Sequence, residues 1–423
     1  MKIKRAAALC LSAVLLCSMT ACGDKTTVTK HNDQVNISFS WWGNDVRNEY
    51  TIKAIQEFER LNPGINVKCN YSEWSGYQVR SNVQMVSHTE SDVMQINFAW
   101  IEQYSPDGMG YYDISTLSDH IDLSNFSENE LAFGMQNGRL NALPIALNTQ
   151  TVYVNRSIYE QYGLSIPRTW EDLFAAARVM DGAHYPMTAN NKAAFFYMVS
   201  YAEQHSGREF IQKDGTLGFT DAEFQMMLEF YSRLINEKVM PQIEYFERLN
   251  LDSGNYAGTV AWLSDASSYL GGAANAGYEV EITDYTELDG AETLGWYTKP
   301  ATMYAISANT EYPEESARLL DFLLNSKEMA ELQGVEKGIP ISRSAREHLE
   351  ASGKLTGLQY DAFIKMNEYS GKLKVISPYM ENTKIIEQIQ ESCNEVYFNK
   401  VTAEEEAHNL RTKVAEILAA AQQ

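Results

Sequence analysis

Between Val35 and Tyr71 the sequence alternates, turns helical and alternates again, and that order restricts the fold more than any other feature of the chain. Val35-Asn36-Ile37-Ser38-Phe39-Ser40-Trp41 sets apolar against polar residues with period two, the pattern of a half-buried strand. After Trp42-Gly43-Asn44-Asp45, Ile52, Ile55, Phe58 and Leu61 recur at helical spacing. Asn44, Asp45 or Asn48 is available as N-cap, and Asn62-Pro63-Gly64 is the stop. Ile65 to Tyr71 then alternates as a second strand. Strand, helix and strand within about 40 residues make a βαβ unit, which requires parallel pairing and an α/β domain.

The patterning predicts a helix over 77–87, a short strand over 93–98 and an irregular Gly- and Tyr-rich stretch at 105–113. Residues 142–154 (ALPIALNTQTVYV) form a long extended run suited to passing from one lobe to another, and 300–307 (PATMYAIS) form a second. Pro167-Arg168-Thr169-Trp170-Glu171-Asp172 opens a helix with Thr169 as N-cap, so Trp170 reads as a packing residue. From there to Lys299 the chain is predicted mostly helical, including 221–238, with later helices over 314–325, 342–352, 358–368 and 402–420. No internal repeat is present.

At 423 residues, 44% hydrophobic and 21% charged, the chain is long enough for two globular domains. Its 34 Lys and Arg face 56 Asp and Glu, a formal net charge of −22 with no basic run in the body, which argues against a nucleic-acid partner. Lys2, Lys4 and Arg5 precede an apolar run over 6–18, shorter than the roughly 20 residues that span a membrane. Residues 1–21 therefore read as a secretory signal peptide, whose removal takes the charge to −25. Residues 22–34 are too polar to pack and are predicted to form a flexible tether. Cys10 and Cys17 belong to the signal and Cys22 follows it, leaving Cys69 and Cys393 as one long-range bridge or two free thiols.

Phosphate-loop, dinucleotide, nucleophile-elbow and zinc-protease motifs do not occur. His31, His88, His120, His184, His205, His348 and His408 are scattered without an i, i+4 pair, so no metal or other cofactor is expected. What does recur is an aromatic ring beside amides and charges at a turn. It occurs in Trp41-Trp42-Gly43-Asn44-Asp45-Val46-Arg47, Glu73-Trp74-Ser75-Gly76-Tyr77, Asn97-Phe98-Ala99-Trp100, Trp262-Leu263-Ser264-Asp265 and Trp296-Tyr297-Thr298-Lys299. Sugars need both parts: flat rings cover their C–H faces, and planar polar groups take paired hydrogen bonds from neighbouring hydroxyls. The alternative for each Trp is a place in the core.

Met19-Thr20-Ala21-Cys22-Gly23 resembles the bacterial lipobox, which implies that Cys22 is lipidated and anchors the chain to a membrane. With it stand SWWGNDVRNEY, IKAIQEFERLNPGINV, EWSGY, SDVMQINFAWIEQY, ALPIALNTQTVYVNRSIYEQYGL, IPRTWEDL and GNYAGTVAWLSD. In this order they resemble the family 1 extracellular solute-binding proteins, receptors of carbohydrate ABC transporters, over nearly the whole mature chain. SWWGN and DVMQINFAW are most similar to the branch that binds oligogalacturonides.

The resemblance implies a two-lobed α/β fold of the periplasmic-binding-protein type, with hinge crossovers, a third crossing near Asn325 and a central ligand cleft. Its lobes would be 35–147 plus 302–328 and 148–301 plus 329–423. Trp41, Trp42, Asn44, Asp45, Arg47, Trp74, Asn97 and Trp100 would line the first wall, Asn148 the hinge, and Trp262, Asp265, Trp296 and Lys299 the second wall. Arg47 and Lys299 are candidates for a uronate carboxylate, or members of structural ion pairs. The expected protein is a monomeric, lipid-anchored, extracytoplasmic receptor that binds an oligosaccharide without turnover and delivers it to ABC permease subunits. The rival is a surface glycoside hydrolase or lyase with carboxylates such as Asp45 and Asp265 in acid and base roles. A peptide or metal receptor on the same architecture is the third alternative.

Overall fold

The computed structural model describes residues 34–422 apart from Lys213 and Arg248. The signal peptide, Cys22 and the tether up to residue 33 lie outside the described residues.

The opening alternation gives β1 (Val35–Trp42), which buries Ile37, Phe39 and Trp41. Asn44 caps α1 (Asp45–Leu61) by accepting from the Arg47 backbone N–H, and the helix ends where the Asn62 N–H reaches the Phe58 carbonyl. α1 buries Tyr50, Ala54, Ile55 and Phe58. β2 (Ile65–Ser72) then pairs parallel to β1, completing the βαβ unit. α2 (Trp74–Ser87) leads to β3 (Val93–Ile96), also parallel to β1. α3 (Ala99–Tyr104) begins three residues later.

A hairpin of β4 (Met135–Gln136) and β5 (Arg139–Leu140) feeds β6 (Ala142–Asn155), in which every residue but Leu147 is buried. The remaining strands are β7 (Gly258–Trp262), β8 (Val280–Thr283), β9 (Tyr297–Ile306) and β10 (Lys374–Val375). They form one sheet in the order β2-β1-β3-β9-β6-β7, with β10 beside β9 and β8 beside β6. The stretch from the helix at Trp170 to Lys299, expected to be mostly helical, therefore also supplies two strands to the sheet.

β6 and β9 are the two extended runs of the sequence, paired antiparallel from Ala142↔Ala305 to Thr149↔Thr298. The register shifts between Pro144 and Leu147, and Leu147 faces Pro300. Proline cannot donate to the ladder, so the pairing is weakest at mid-crossover and the strands can bend there. A third chain segment meets this point: Ala146 bridges Pro340, and the Ile341 N–H donates to the Ile145 carbonyl. Around Asn325, where a third crossing was expected, the chain is helical as Pro313–Asn325 and Lys327–Gln333. The second of these packs against α1, and the expected boundary at 328/329 falls inside it.

Among the described residues four cores flank the crossover, one of them around Tyr77, Trp100, Phe133 and Met303. Phe39, Phe58, Val93, Ile306 and Phe322 belong to a second, and Trp170, Phe174, Phe196, Phe230 and Leu410 to a third. Tyr153, Leu263, Ala330, Leu349 and Phe363 form the fourth beside the hinge. Trp170 is a packing residue as expected, its indole N–H on Gln204. Cys69 and Cys393 are both free thiols.

Candidate functional site

β1 ends in a turn that needs Gly43, since a Cβ there would stand 2.7 Å from the Arg47 Cβ. Trp42 leaves this turn toward α2 and α3. Its ring centroid lies 4.9 Å from Trp74, 5.3 Å from Tyr77 and 6.3 Å from Trp100. Trp100 lies nearly parallel to both Trp74 and Tyr77, at 5.9 and 6.0 Å. Tyr77 fixes the group from beneath by donating to the Gln95 carbonyl at 2.7 Å. Trp100 is buried and Trp74 is 37% exposed, so Trp74 presents the cluster's outer surface.

Phe98, between β3 and α3, packs against the core around Phe133 and also against the core of Phe196 and Trp170, so it marks where the two sides approach. A groove of about 880 Å³ opens here, lined by Phe98, Ile101 and Glu102 on one side and Tyr297, Lys374 and Tyr379 on the other. A cavity of about 580 Å³ at Lys68, Cys69 and Asp92 lies away from these rings, along the β1–β2 side of the sheet.

Trp262 ends β7, packs against the core of Phe196 and Trp170, and carries two ammonium groups, Lys299 at 4.6 Å and Lys192 at 5.7 Å from the ring centroid. Both ion-pair with Glu381, Lys299 at 2.5 Å and Lys192 through the other carboxylate oxygen. Burial works to raise the Glu381 carboxyl, but the two ammoniums outweigh it and hold the group below the usual carboxylate range. Burial lowers the Lys299 ammonium, and Glu381 offsets only part of that. Asp265 is pushed up by burial, against the pull of Ser264 and the two lysines. The Asn148 amide accepts from the Ser264 N–H at 3.2 Å and donates to its hydroxyl at 3.1 Å, tying the crossover to the turn after β7.

Three tryptophans expected on the walls, Trp41, Trp100 and Trp296, are buried in cores. Trp41 is fully buried between Phe39 and Tyr71 with its indole N–H on Asn48, because the period-two pattern turns it inward. Trp296 is 1% exposed beside Tyr197 and Tyr285, its N–H on the Thr286 carbonyl. Asn44 is occupied as a helix cap, Asp45 is exposed in the first turn of α1, and Asn97 accepts from the Ala99 N–H. The Arg47 guanidinium donates to the Glu336 carbonyl at 2.8 Å. Sequence reasoning passed over Lys192, Glu381 and Phe98, and left out Tyr379. The cations and Glu381 converge from separate helices and turns, and no local pattern signals that convergence. Among the described residues no group of three His, Cys, Asp or Glu is placed to hold a metal ion.

Comparison with known proteins places these features in context. The sequence profile described as bacterial extracellular solute-binding protein matches residues 44–330. A protein of Brucella abortus named as a candidate binding protein is 23% identical over 307 residues, 70% of this chain and 73% of that one. A periplasmic oligogalacturonide-binding protein from Yersinia enterocolitica is 30% identical with a TM-score of 0.82, over 92% of this chain and all of that one. The Yersinia structure in complex with saturated digalacturonic acid gives a TM-score of 0.76 at the same identity and coverage. A de novo designed cysteine esterase has the same architecture, with a TM-score of 0.87, 30% identity and the same coverage.

Proposed function

The chain belongs to the bacterial extracellular solute-binding protein family, and from that premise we propose that it is the lipid-anchored receptor of an ABC importer for oligosaccharides containing uronic acids. The carrying observation is an exposed ring cluster at the end of β1 together with a ring that holds two cations at the end of β7. Trp74 offers an exposed indole backed by Trp100, and Trp262, beside the core of Phe196, carries Lys299 and Lys192. Stacked indoles cover sugar C–H faces, and the cations favour a sugar acid over a neutral sugar. The 30% identical Yersinia protein, crystallised with digalacturonic acid, supports the same ligand class.

In this reading the lobes divide at the crossovers, near 147/148 and 301/302, with the third passage at 339–341. The oligosaccharide touches both walls only when they close, so binding shifts the population toward the closed form presented to the permease. Bending is concentrated where Pro144 and Pro300 interrupt the ladder. The chain works extracytoplasmically as a monomer anchored through Cys22, and the ligand leaves unchanged.

Thermal unfolding of the mature chain against digalacturonate, neutral disaccharides and short peptides tests this. A ligand at 100 times its Kd adds about 2.7 kcal/mol of native stability. A shift with digalacturonate but not with its neutral counterpart, without product release, is expected. A shift with neutral sugars alone discards the uronate specificity, a shift with peptides alone discards the sugar reading, and turnover replaces the receptor with a hydrolase or lyase.

A further inference from the structure

Behind the turn that carries Trp42 and Arg47, on the sheet face packed against α1, lies a polar group that the aromatic groove does not use. Gln95 of β3 and Tyr304 of β9 face each other in register, both fully buried. Lys337, 5% exposed, reaches between them and donates to Gln95 Oε1 and to the Tyr304 hydroxyl, each at 2.9 Å. Arg47 joins from α1, near enough for its charge to act on Lys337, Tyr304 and Tyr50. The hydrogen-bond partners of both cations are neutral: a backbone carbonyl for Arg47, an amide and a phenol for Lys337. Glu336, the acid adjacent to Lys337, is exposed.

The unmet hydrogen bonds are mostly donors. Arg47 Nε, Gln95 Nε2 and the Tyr50 hydroxyl are buried without a partner. Lys337 has two hydrogen bonds for three N–H groups, and Lys337 fixes which end of the Gln95 amide is oxygen. Buried donors ordinarily find an acceptor, and buried cations an opposite charge. Among the described residues these two cations have no ion-paired acid, and with the three unpaired donors they are complementary to one small anion.

We propose that Arg47, Tyr50, Gln95 and Lys337 form an anion-binding subsite that takes a single anion of carboxylate or halide size. Its source is either a carboxylate of the ligand, which rests on the uronate reading above, or a free anion from solution, which does not. Burial, helped by the Arg47 charge, lowers the Lys337 ammonium to about 7. An incoming anion reverses that, so binding above neutrality takes up a proton. The groups around Lys337 are Arg47 and Tyr50 on α1, Gln95 on β3, Tyr304 on β9 with Tyr77 beyond it, and Glu336 on its own loop.

Crystals of the mature chain grown in sodium bromide test the site without any sugar. The expected result is an anomalous peak within hydrogen-bond distance of Lys337 Nζ and Arg47 Nε. Adding digalacturonate then separates the sources: loss of the peak identifies the ligand carboxylate, and its persistence identifies a free anion. Calorimetry at pH 8 in two buffers should show proton uptake with bromide, absent in Lys337→Met, and bromide affinity should fall about tenfold from pH 6 to pH 8. Should Lys337→Met fold poorly, Lys337→Gln takes its place. Water alone at the position, or affinity independent of pH, overturns the proposal while leaving the uronate reading to the screen described above.

Discussion

Glu381→Gln should cost more stability than Lys299→Met, although the two residues form one ion pair. Among the described residues Glu381 has an ion-pair partner on each carboxylate oxygen, whereas Lys299 pairs with Glu381, with Asp265 also acting on it. Removing the carboxylate leaves two ammoniums repelling one another above Trp262, with side chains 19% and 37% exposed. Breaking a buried pair costs about 3–5 kcal/mol, and with this residual access to water the low end applies, about 3 kcal/mol. Removing Lys299 leaves Glu381 still paired with Lys192 and puts a thioether against the indole, for about 1 kcal/mol. The double variant should fall well short of the sum.

Urea unfolding followed by circular dichroism and tryptophan fluorescence measures this as a change of midpoint at constant slope, valid where the two probes coincide. The pH dependence adds an independent check. A carboxyl held below its unfolded value contributes stability that is present above the unfolded pKa and lost as pH falls through the folded one. The gap between wild type and Glu381→Gln should therefore be full at pH 7 and shrink under acid. Equal costs for the two single variants, or a gap indifferent to acid, would refute the argument.

Trp74→Ala should change stability by under about 1 kcal/mol yet weaken oligosaccharide binding about ten- to a hundredfold by titration calorimetry, because its partly exposed ring is the outer surface of the cluster. Trp296→Ala should do the opposite, losing about 3–5 kcal/mol in denaturant unfolding because that ring is core. Gly134→Ala would set a Cβ 1.7 Å from the Ala142 carbonyl oxygen at the start of the first crossover, and should lower the midpoint by at least about 2 kcal/mol. Cys22→Ala should move the protein from the membrane fraction to the soluble one and abolish palmitate labelling.

Local pattern carried much of the fold. β1, α1 and β2 follow from apolar periodicity and the Asn44 cap, and both crossovers from runs too long and apolar for ordinary loops. The Thr169 capping box likewise marked its helix. β7 and β8 were missed because each is only four or five residues long and is held by β6 rather than by its own periodicity. The segment 339–341, which meets β6, drew no notice because nothing in it resembles a strand; it is defined by what it touches. At the candidate site, composition marked the aromatic segments but not which ring each turns outward. Trp41 and Trp42 are adjacent, and the strand pleat sends one into the core and the other against Trp74 and Trp100. The charges were least legible, since Lys192, Lys299 and Glu381 meet from distant positions, and nothing in the residues around Lys337 announces a buried cation.

The single sheet has a consequence for how the chain can be divided. β6 and β9 are interior strands flanked on both sides, and they come from opposite halves of the sequence. A cut between the helix Asn191–Ser206 and β7 would give an amino-terminal fragment holding β1 to β6 and a carboxyl-terminal one holding β7 to β10. The first would bare one edge of β3 and both edges of β6, and the second would bare β9 except where β10 pairs with Tyr297 and Thr298, so each would be prone to aggregate alone. Mixed, each would supply the strand the other lacks. The two fragments would thus report one another's presence, a split protein whose reassembly is templated at the same pleat where its halves articulate.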